Sequence, residues 1–288
     1  MKKIGAMLKP KLVIVFLFIF VLILLLQMGF FVAHEIWKIE SEWNIFQYCL
    51  SIIDENTMGH LVVKFLFNLL ILYTTGRIAW RICKQFYLSV KWSRIFQNRK
   101  HRKLTKKLNY KYRDWNVKFI VVRDESFIAL TMGFLRPRIV VSTEVLASFS
   151  PSEIQVILQH ERYHCTHYDP LKIFLSTMMV DGLGYVPIIK NFHHYYKTWK
   201  ELMADRFVIK KMGTEYDLGI VLLKLSEMNK LSRPMIGIPF ADTAFNYRML
   251  QFLHPEVPVN VPVLQFRPVM ISFFVLVMMS IVVLGGCS

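Results

Sequence analysis

Three apolar runs narrow this chain to folds in which helices cross a bilayer. Residues 13–31 are almost entirely apolar and long enough to span the hydrocarbon core. Residues 61–80 form a second run, and residues 269–285 a third, near the lower length limit for a crossing. The chain is 54% hydrophobic yet carries a net charge of +16, which is consistent only if apolar and basic residues are segregated. Lys2, Lys3, Lys9 and Lys11 precede the first run. No small-residue cleavage site follows it cleanly, and it exceeds the apolar core of a signal peptide, so it reads as an uncleaved anchor. In the second run Lys64 can extend toward the interface, and Asn68 is tolerable if it faces another helix.

The charges orient these runs. Glu35, Glu40, Glu42, Asp54 and Glu55 lie between the first two, against Lys38. From Arg77 to Lys107 eleven basic residues follow with no acidic residue among them. The positive-inside rule places that basic side in the cytoplasm, with the N-terminus inside and the C-terminus outside. The expected division is a two-span anchor over residues 1–83, a cytoplasmic domain over 84–267 and a last span over 268–288. Trp37, Trp43, Tyr73 and Trp80 suit interfacial belts. The basic stretch reads as a juxtamembrane segment attracted to anionic lipid, worth about 1 kcal/mol for each basic residue near the surface. No nucleic-acid fold signature accompanies it, so membrane lipid is the expected partner and nucleic acid is not.

The cytoplasmic part holds His160-Glu161-Arg162-Tyr163-His164, the H-E-x-x-H pattern of zinc peptidases. On a helix, residues four apart share a face, so His160 and His164 can grip one Zn2+ ion. Glu161 then stands beside the metal, placed to take a proton from a water as general base. Ser150, Pro151 and Glu153 fit an N-cap, a first helical position and a reciprocal cap. Asp169-Pro170 is expected to stop that helix.

A second helix is expected from about Leu171, broken near Gly182, Gly184 and Pro187. A third is expected over 191–212, stopped by Gly213. It carries Glu201 and Asp205 four apart on one face, an arrangement that resembles the gluzincin class of peptidases. In that class a glutamate on a later helix is the third zinc ligand, and an acidic residue one turn on orients a histidine ligand. The same two carboxylates also read as a solvated face among Lys197, Lys200, Arg206 and Lys210. His167 lies too far along the helix to join His160 on one ion. His193, His194, Tyr195 and Tyr196 could supply a transition-state donor, or be the polar tips of an amphipathic helix.

The run H-E-R-Y-H-C-T-H-Y-D-P-L, followed some forty residues later by E-L-M-A-D, resembles the BlaR/MecR family of integral-membrane zinc peptidases. Gly133 through Val141 resembles the glycine, proline and strand that precede the motif there. Asn246-Tyr247-Arg248-Met249-Leu250 resembles the arginine-containing segment that follows the third ligand in peptidases of the HtpX and prenyl-protease type. The resemblance covers about residues 110–255 together with the membrane layout. It implies a membrane-bound gluzincin facing the cytoplasm of a bacterial cell, with His160, His164 and Glu201 on zinc. It also implies Arg248 as transition-state or structural support, a role for which His194 is a candidate by its place on the third helix. Antibiotic-sensing members carry a large extracellular penicillin-binding domain after the last span. This sequence ends at Ser288 with no S-x-x-K acylation motif, so the resemblance supports the peptidase half rather than β-lactam sensing by this chain, and a separate extracellular sensor is a compatible partner.

Strands are expected over 117–122, 127–130 and 138–142, joined around Gly133 and Pro137. Peptidases of this class pair extended substrate with an edge strand, here expected around Ile128 to Thr131. The cysteines at 49, 83, 165 and 287 imply no disulfide scaffold. Leu284-Gly285-Gly286-Cys287 resembles a lipoprotein box at the wrong end of a chain, a coincidence of a small-residue helix end or a processed tail. Pro255, Pro258, Pro262 and Pro268 mark a stiff approach to the last span.

The fold expected is α+β: transmembrane helices plus a mainly helical, gluzincin-like cytoplasmic domain with a small β-sheet. The function expected is zinc endopeptidase cleavage of a cytoplasmic protein, a transcriptional repressor or the enzyme itself, in signal transduction. A homo-oligomer is compatible with it. The alternatives are a site-2-type intramembrane protease and a non-enzymatic anchor or sensor subunit that keeps zinc for structure. Charged residues Glu153, Arg162, Asp169 and Lys172 around the motif weigh against the first.

Overall fold

The computed structural model describes residues 10–37, 58–231, 243–253, 259, 261, 262 and 265–285. Most of the acidic loop, Cys49, Cys287, Pro255, Pro258 and the Gly286–Ser288 tail lie outside the described residues. The described chain is mainly helical with one small mixed sheet, an α+β architecture. It divides into two compact units. The first takes residues 1–83, 176–195 and 262–288, and the second takes 84–175 and 196–261.

In the first unit, α1 (Pro10–Trp37) buries Val13, Leu17, Val21, Leu24, Met28 and Phe31 at steps of three and four residues. Its other face exposes Leu12, Val15, Phe16, Ile19, Leu22 and Leu26. Leaving each such side chain in water costs about 1.5–3 kcal/mol, so a helix apolar on both faces is suited to lipid. Its stretch Val15–Ala33 is the one described helix segment with both the length and the hydropathy of a membrane span. The second apolar run lies in α2 (Met58–Asn98), whose 41 residues continue well past residue 80. The third lies in α10 (Phe266–Gly285), whose apolar stretch Phe266–Ser280 is shorter than a span. α10 packs on α1, where Gln27 Nε2 donates to Ser280 Oγ at 2.7 Å.

The second unit is built on the sheet. α3 (Arg102–Lys111) follows α2 and leads through a 3-10 turn (Arg113–Trp115) into β1 (Lys118–Val122). β2 (Ala129–Met132) and β3 (Arg138–Ser142) form an antiparallel hairpin, and β1 runs parallel to β3, giving the order β1-β3-β2. Gly133 has φ +101 in the hairpin turn, where a Cβ would lie 2.9 Å from Arg136 O. Both faces of β1 and β3 are covered, hence their unbroken apolar runs. Phe119, Val121, Ile139 and Val141 join the main core, while Ile120, Val122 and Val140 pack with Phe96.

The two sheet edges differ. The Asn109 side chain accepts from Phe119 N and donates to Phe119 O, and Thr105 Oγ1 accepts from Val121 N. α3 thereby occupies the outer edge of β1, and among the described residues β2 is left as the open one. Ile128 O accepts from Ser142 N, so by alternation the backbone groups of Ala129 and Thr131 point outward along that open edge. β2 starts two residues later than the sequence suggests. Phe127 turns its ring into the core against Phe149 instead of opening the strand.

α4 (Thr143–Ser148) leads to α5 (Pro151–Thr166), which packs across β2 and β3. Ser150 and Glu153 cap it reciprocally, as the sequence suggests. Asp169-Pro170 does not end this helix. It stops at Thr166, the chain turns at Tyr168 with φ 54, and Asp169 opens α6 (Asp169–Gly182). Proline in a first turn forfeits no hydrogen bond, so Pro170 starts a helix here rather than breaking one. α7 (Pro187–Met212) begins four residues before the expected start for the same reason, and Gly213 ends it with φ +74. α8 (Tyr216–Leu231) packs on α5. α9 (Thr243–Leu253) approaches α8 at Gly219, where a Cβ would overlap the Phe252 ring.

Candidate metal centre

Polar residues from four helices and one strand of the second unit converge in a cleft of about 320 Å³. α5 presents His160, Glu161 and His164, α6 its first residue Asp169, α7 Lys200, Glu201 and Asp205, α9 Arg248, and β2 Thr131. His160 Nε2 lies 3.1 Å from His164 Nε2 and 3.2 Å from Glu201 Oε2. His164 Nε2 lies 3.6 Å from the same oxygen. A tetrahedral ion with bonds of about 2.0–2.1 Å holds its ligand atoms about 3.3 Å apart, so this triangle fits one such ion.

The far side of each imidazole also fits. His164 Nδ1 lies 2.7 Å from Asp169 Oδ2, whose other oxygen accepts from Tyr196 Oη at 3.0 Å. His160 Nδ1 lies 3.0 Å from Asp205 Oδ1, at ion-pair distance though not aligned as a hydrogen bond. A carboxylate behind each ring favours a proton on Nδ1 and leaves the Nε2 lone pair for a metal. Arg248 grips Asp205 through Nε to Oδ2 at 2.7 Å and Nη2 to Oδ1 at 2.8 Å. Glu161, Asp169, Glu201 and Asp205 set four negative charges against Lys200 and Arg248. The surplus of two is what a divalent cation cancels.

The charges on the ligands follow from these contacts. Burial works against ionised Glu201, but Lys200 and His164 outweigh it and hold its pKa well below the usual carboxylate value. Burial likewise opposes protonation of His160, yet Asp205 and Glu201 raise its pKa to about 9. In the metal-free protein that imidazolium stabilises the fold below the ordinary value of 6.5, and the contribution is lost as pH rises through about 9. Metal must displace this proton. The proton on His164, whose pKa Glu201 and Asp169 also raise against burial, must leave as well, so apparent zinc affinity should rise at least about tenfold per pH unit between pH 6.5 and 9. Zinc titrations across that range check this, and a flat profile contradicts it.

Glu161 reaches the same cleft. Thr131 Oγ1 lies 2.9 Å from both Glu161 Oε2 and Glu161 O, tying that carboxylate to the open strand. Phe127, Leu130, Val156, Ile157, Leu218 and Val221 supply the apolar lining. The structure thus brings together His160, Glu161, His164, Glu201, Asp205 and Arg248. His194 belongs to the first unit and does not line the cleft, and His193 Nδ1 lies 2.9 Å from Ser176 Oγ in that unit. Asp169, Lys200 and Thr131 are site neighbours that no local sequence pattern ties to the metal. The only signal for Asp169 was an acidic residue five positions past the second histidine.

The family described as BlaR1 peptidase M56 matches residues 44–245. The regulatory protein BlaR1 of Bacillus licheniformis is 26% identical over 110 residues, which is 38% of this chain and 18% of that protein. The match thus spans less than a fifth of that relative's length. Its sequence pattern and the family match together assign this chain to the M56 family of BlaR1-type peptidases.

Proposed function

We propose that the protein is a membrane-bound zinc endopeptidase that cuts a cytoplasmic protein in a signalling pathway. The observation that carries this reading is the triangle of two imidazole nitrogens and one carboxylate oxygen beside Glu161. A bound Zn2+ would polarise the scissile carbonyl and lower the pKa of a water molecule in the cleft. Glu161 takes the proton from that water and returns it to the departing amine. Asp169 and Asp205 hold the imidazoles, and Arg248 holds Asp205. An extended substrate pairs with the outward backbone groups of Ala129 and Thr131, which places its scissile bond beside Glu161.

Three spans, with the N-terminus and the residue 84–267 peptidase domain in the cytoplasm, accord with the charge pattern. The outward apolar faces of α2 and α10, including Phe65, Leu69, Leu72, Met270, Phe273 and Phe274, support two crossings besides α1. A separate extracellular sensor would supply the stimulus, and anionic lipid would hold the basic stretch. The motif helix belongs to the second unit and Val15–Ala33 to the first, which favours this reading over intramembrane cleavage.

Full-length protein purified in detergent should contain one zinc per chain and cleave a protein substrate or itself. Cleavage should stop when a chelator removes the metal and resume when zinc is restored. Zinc without any cleavage would favour a structural metal in a sensor subunit, and cleavage that survives complete zinc removal would end the proposal.

A further inference from the structure

We propose that Lys200 confines Glu201 to one-oxygen coordination, its ammonium occupying Oε1 while Oε2 alone faces the two imidazoles. The inference rests on the metal-centre reading above and assigns a positioning role within it. Lys200 Nζ lies 2.9 Å from Glu201 Oε1, and its side chain is only 18% exposed. Adjacent residues on a helix do not face each other, so this contact requires the lysine to fold back toward its neighbour. A lysine is seldom placed so deep without a partner, and one beside a dication site opposes metal binding by direct repulsion. Its presence there calls for a compensating role, and the geometry supplies one.

A carboxylate with both oxygens free can chelate an ion through the pair of them. Occupying one oxygen leaves coordination room for a water and a substrate carbonyl, the pattern of a catalytic centre. The sign of the effect sets Lys200 apart from the carboxylates behind the histidines; the other cation, Arg248, stands farther off, its Nη1 3.9 Å from Glu201 Oε2. Carboxylates behind the histidines make those ligands better donors, so losing one weakens metal binding. A cation behind Glu201 makes it a poorer donor, so losing it should tighten binding.

The test uses the full chain in detergent, with Lys200→Met, Lys200→Gln and Lys200→Arg, loaded with cobalt as a spectroscopic probe. Wild type should show the intense visible bands of four-coordinate cobalt. Lys200→Met should show the weaker bands of higher coordination. Its zinc affinity in competition with a chromophoric chelator should rise about tenfold. Its kcat should fall with little change in KM. Lys200→Arg should keep the wild-type spectrum. Thermal melts of the metal-free proteins report folding, and Lys200→Gln carries the test if the methionine variant does not fold. Wild-type spectra and affinities in the folded variants overturn the role of Lys200 alone. A wild type that binds no cobalt, or binds it equally well after His160→Ala, overturns the metal centre and this inference with it.

Discussion

Glu161→Gln should retain full metal content and lose about 10²–10⁴-fold in turnover, the usual contribution of a positioned general base. The amide has the size of the carboxylate, and its carbonyl can still accept from Thr131 Oγ1 at the Oε2 position. His160, His164 and Glu201, the three groups that meet within 3.6 Å, are untouched, so metal binding has no reason to change. What disappears is a group able to take a proton from water and hand it to the leaving amine. Metal analysis of purified protein separates the two effects. Proteomics of the native host, comparing wild type with this variant, should reveal one protein that ceases to be cut. Undiminished cleavage by Glu161→Gln would remove the assignment of this residue as base.

Asp169→Ala should weaken zinc binding by about 10–100-fold, the typical cost of removing a carboxylate behind a ligating histidine. Asp169 is 3% exposed and engages two buried groups at once, His164 Nδ1 and Tyr196 Oη. Its loss frees the imidazole to rotate or to take the other tautomer. It also leaves the tyrosine hydroxyl without its acceptor, at about 1–3 kcal/mol of fold stability. Asp169→Asn should be milder on both counts, because an amide oxygen can still accept from Nδ1–H. Zinc competition titrations and thermal melts of the two variants read these effects separately. Equal affinity in wild type and Asp169→Ala would show that His164 needs no support from this side.

The contrast between these residues shows how much of the site was legible in advance. The H-E-x-x-H spacing puts two imidazoles on one helix face by local geometry alone, and Ser150 and Glu153 mark where that helix begins. The strands of residues 118–122 and 138–142 were legible because burial on both faces makes them continuously apolar. Glu201 was reached through a spacing pattern whose competing reading was a solvated helix face. Asp169 carries no local sign of a role at the metal, because proline after it suggests a helix end, whereas proline in a first turn marks a helix start. Of the three apolar runs, residues 61–80 proved to be one stretch of a 41-residue helix, because amphipathic residues beyond Trp80 carry the helix onward.

The sequence by itself determined what depends on neighbours along the chain: the apolar runs, the charge asymmetry, the capped motif helix and the facing pair of histidines. Only the tertiary structure decided which carboxylates and cations meet that pair. Glu201 comes from forty-one residues beyond His160, and Arg248 from another helix again. Asp169 is near in sequence, yet it follows the left-handed backbone at Tyr168 and meets His164 from the start of the next helix. Helical periodicity sets the spacing of side chains within one element. The convergence of side chains from separate elements is set by how their apolar faces pack, and no local pattern encodes that.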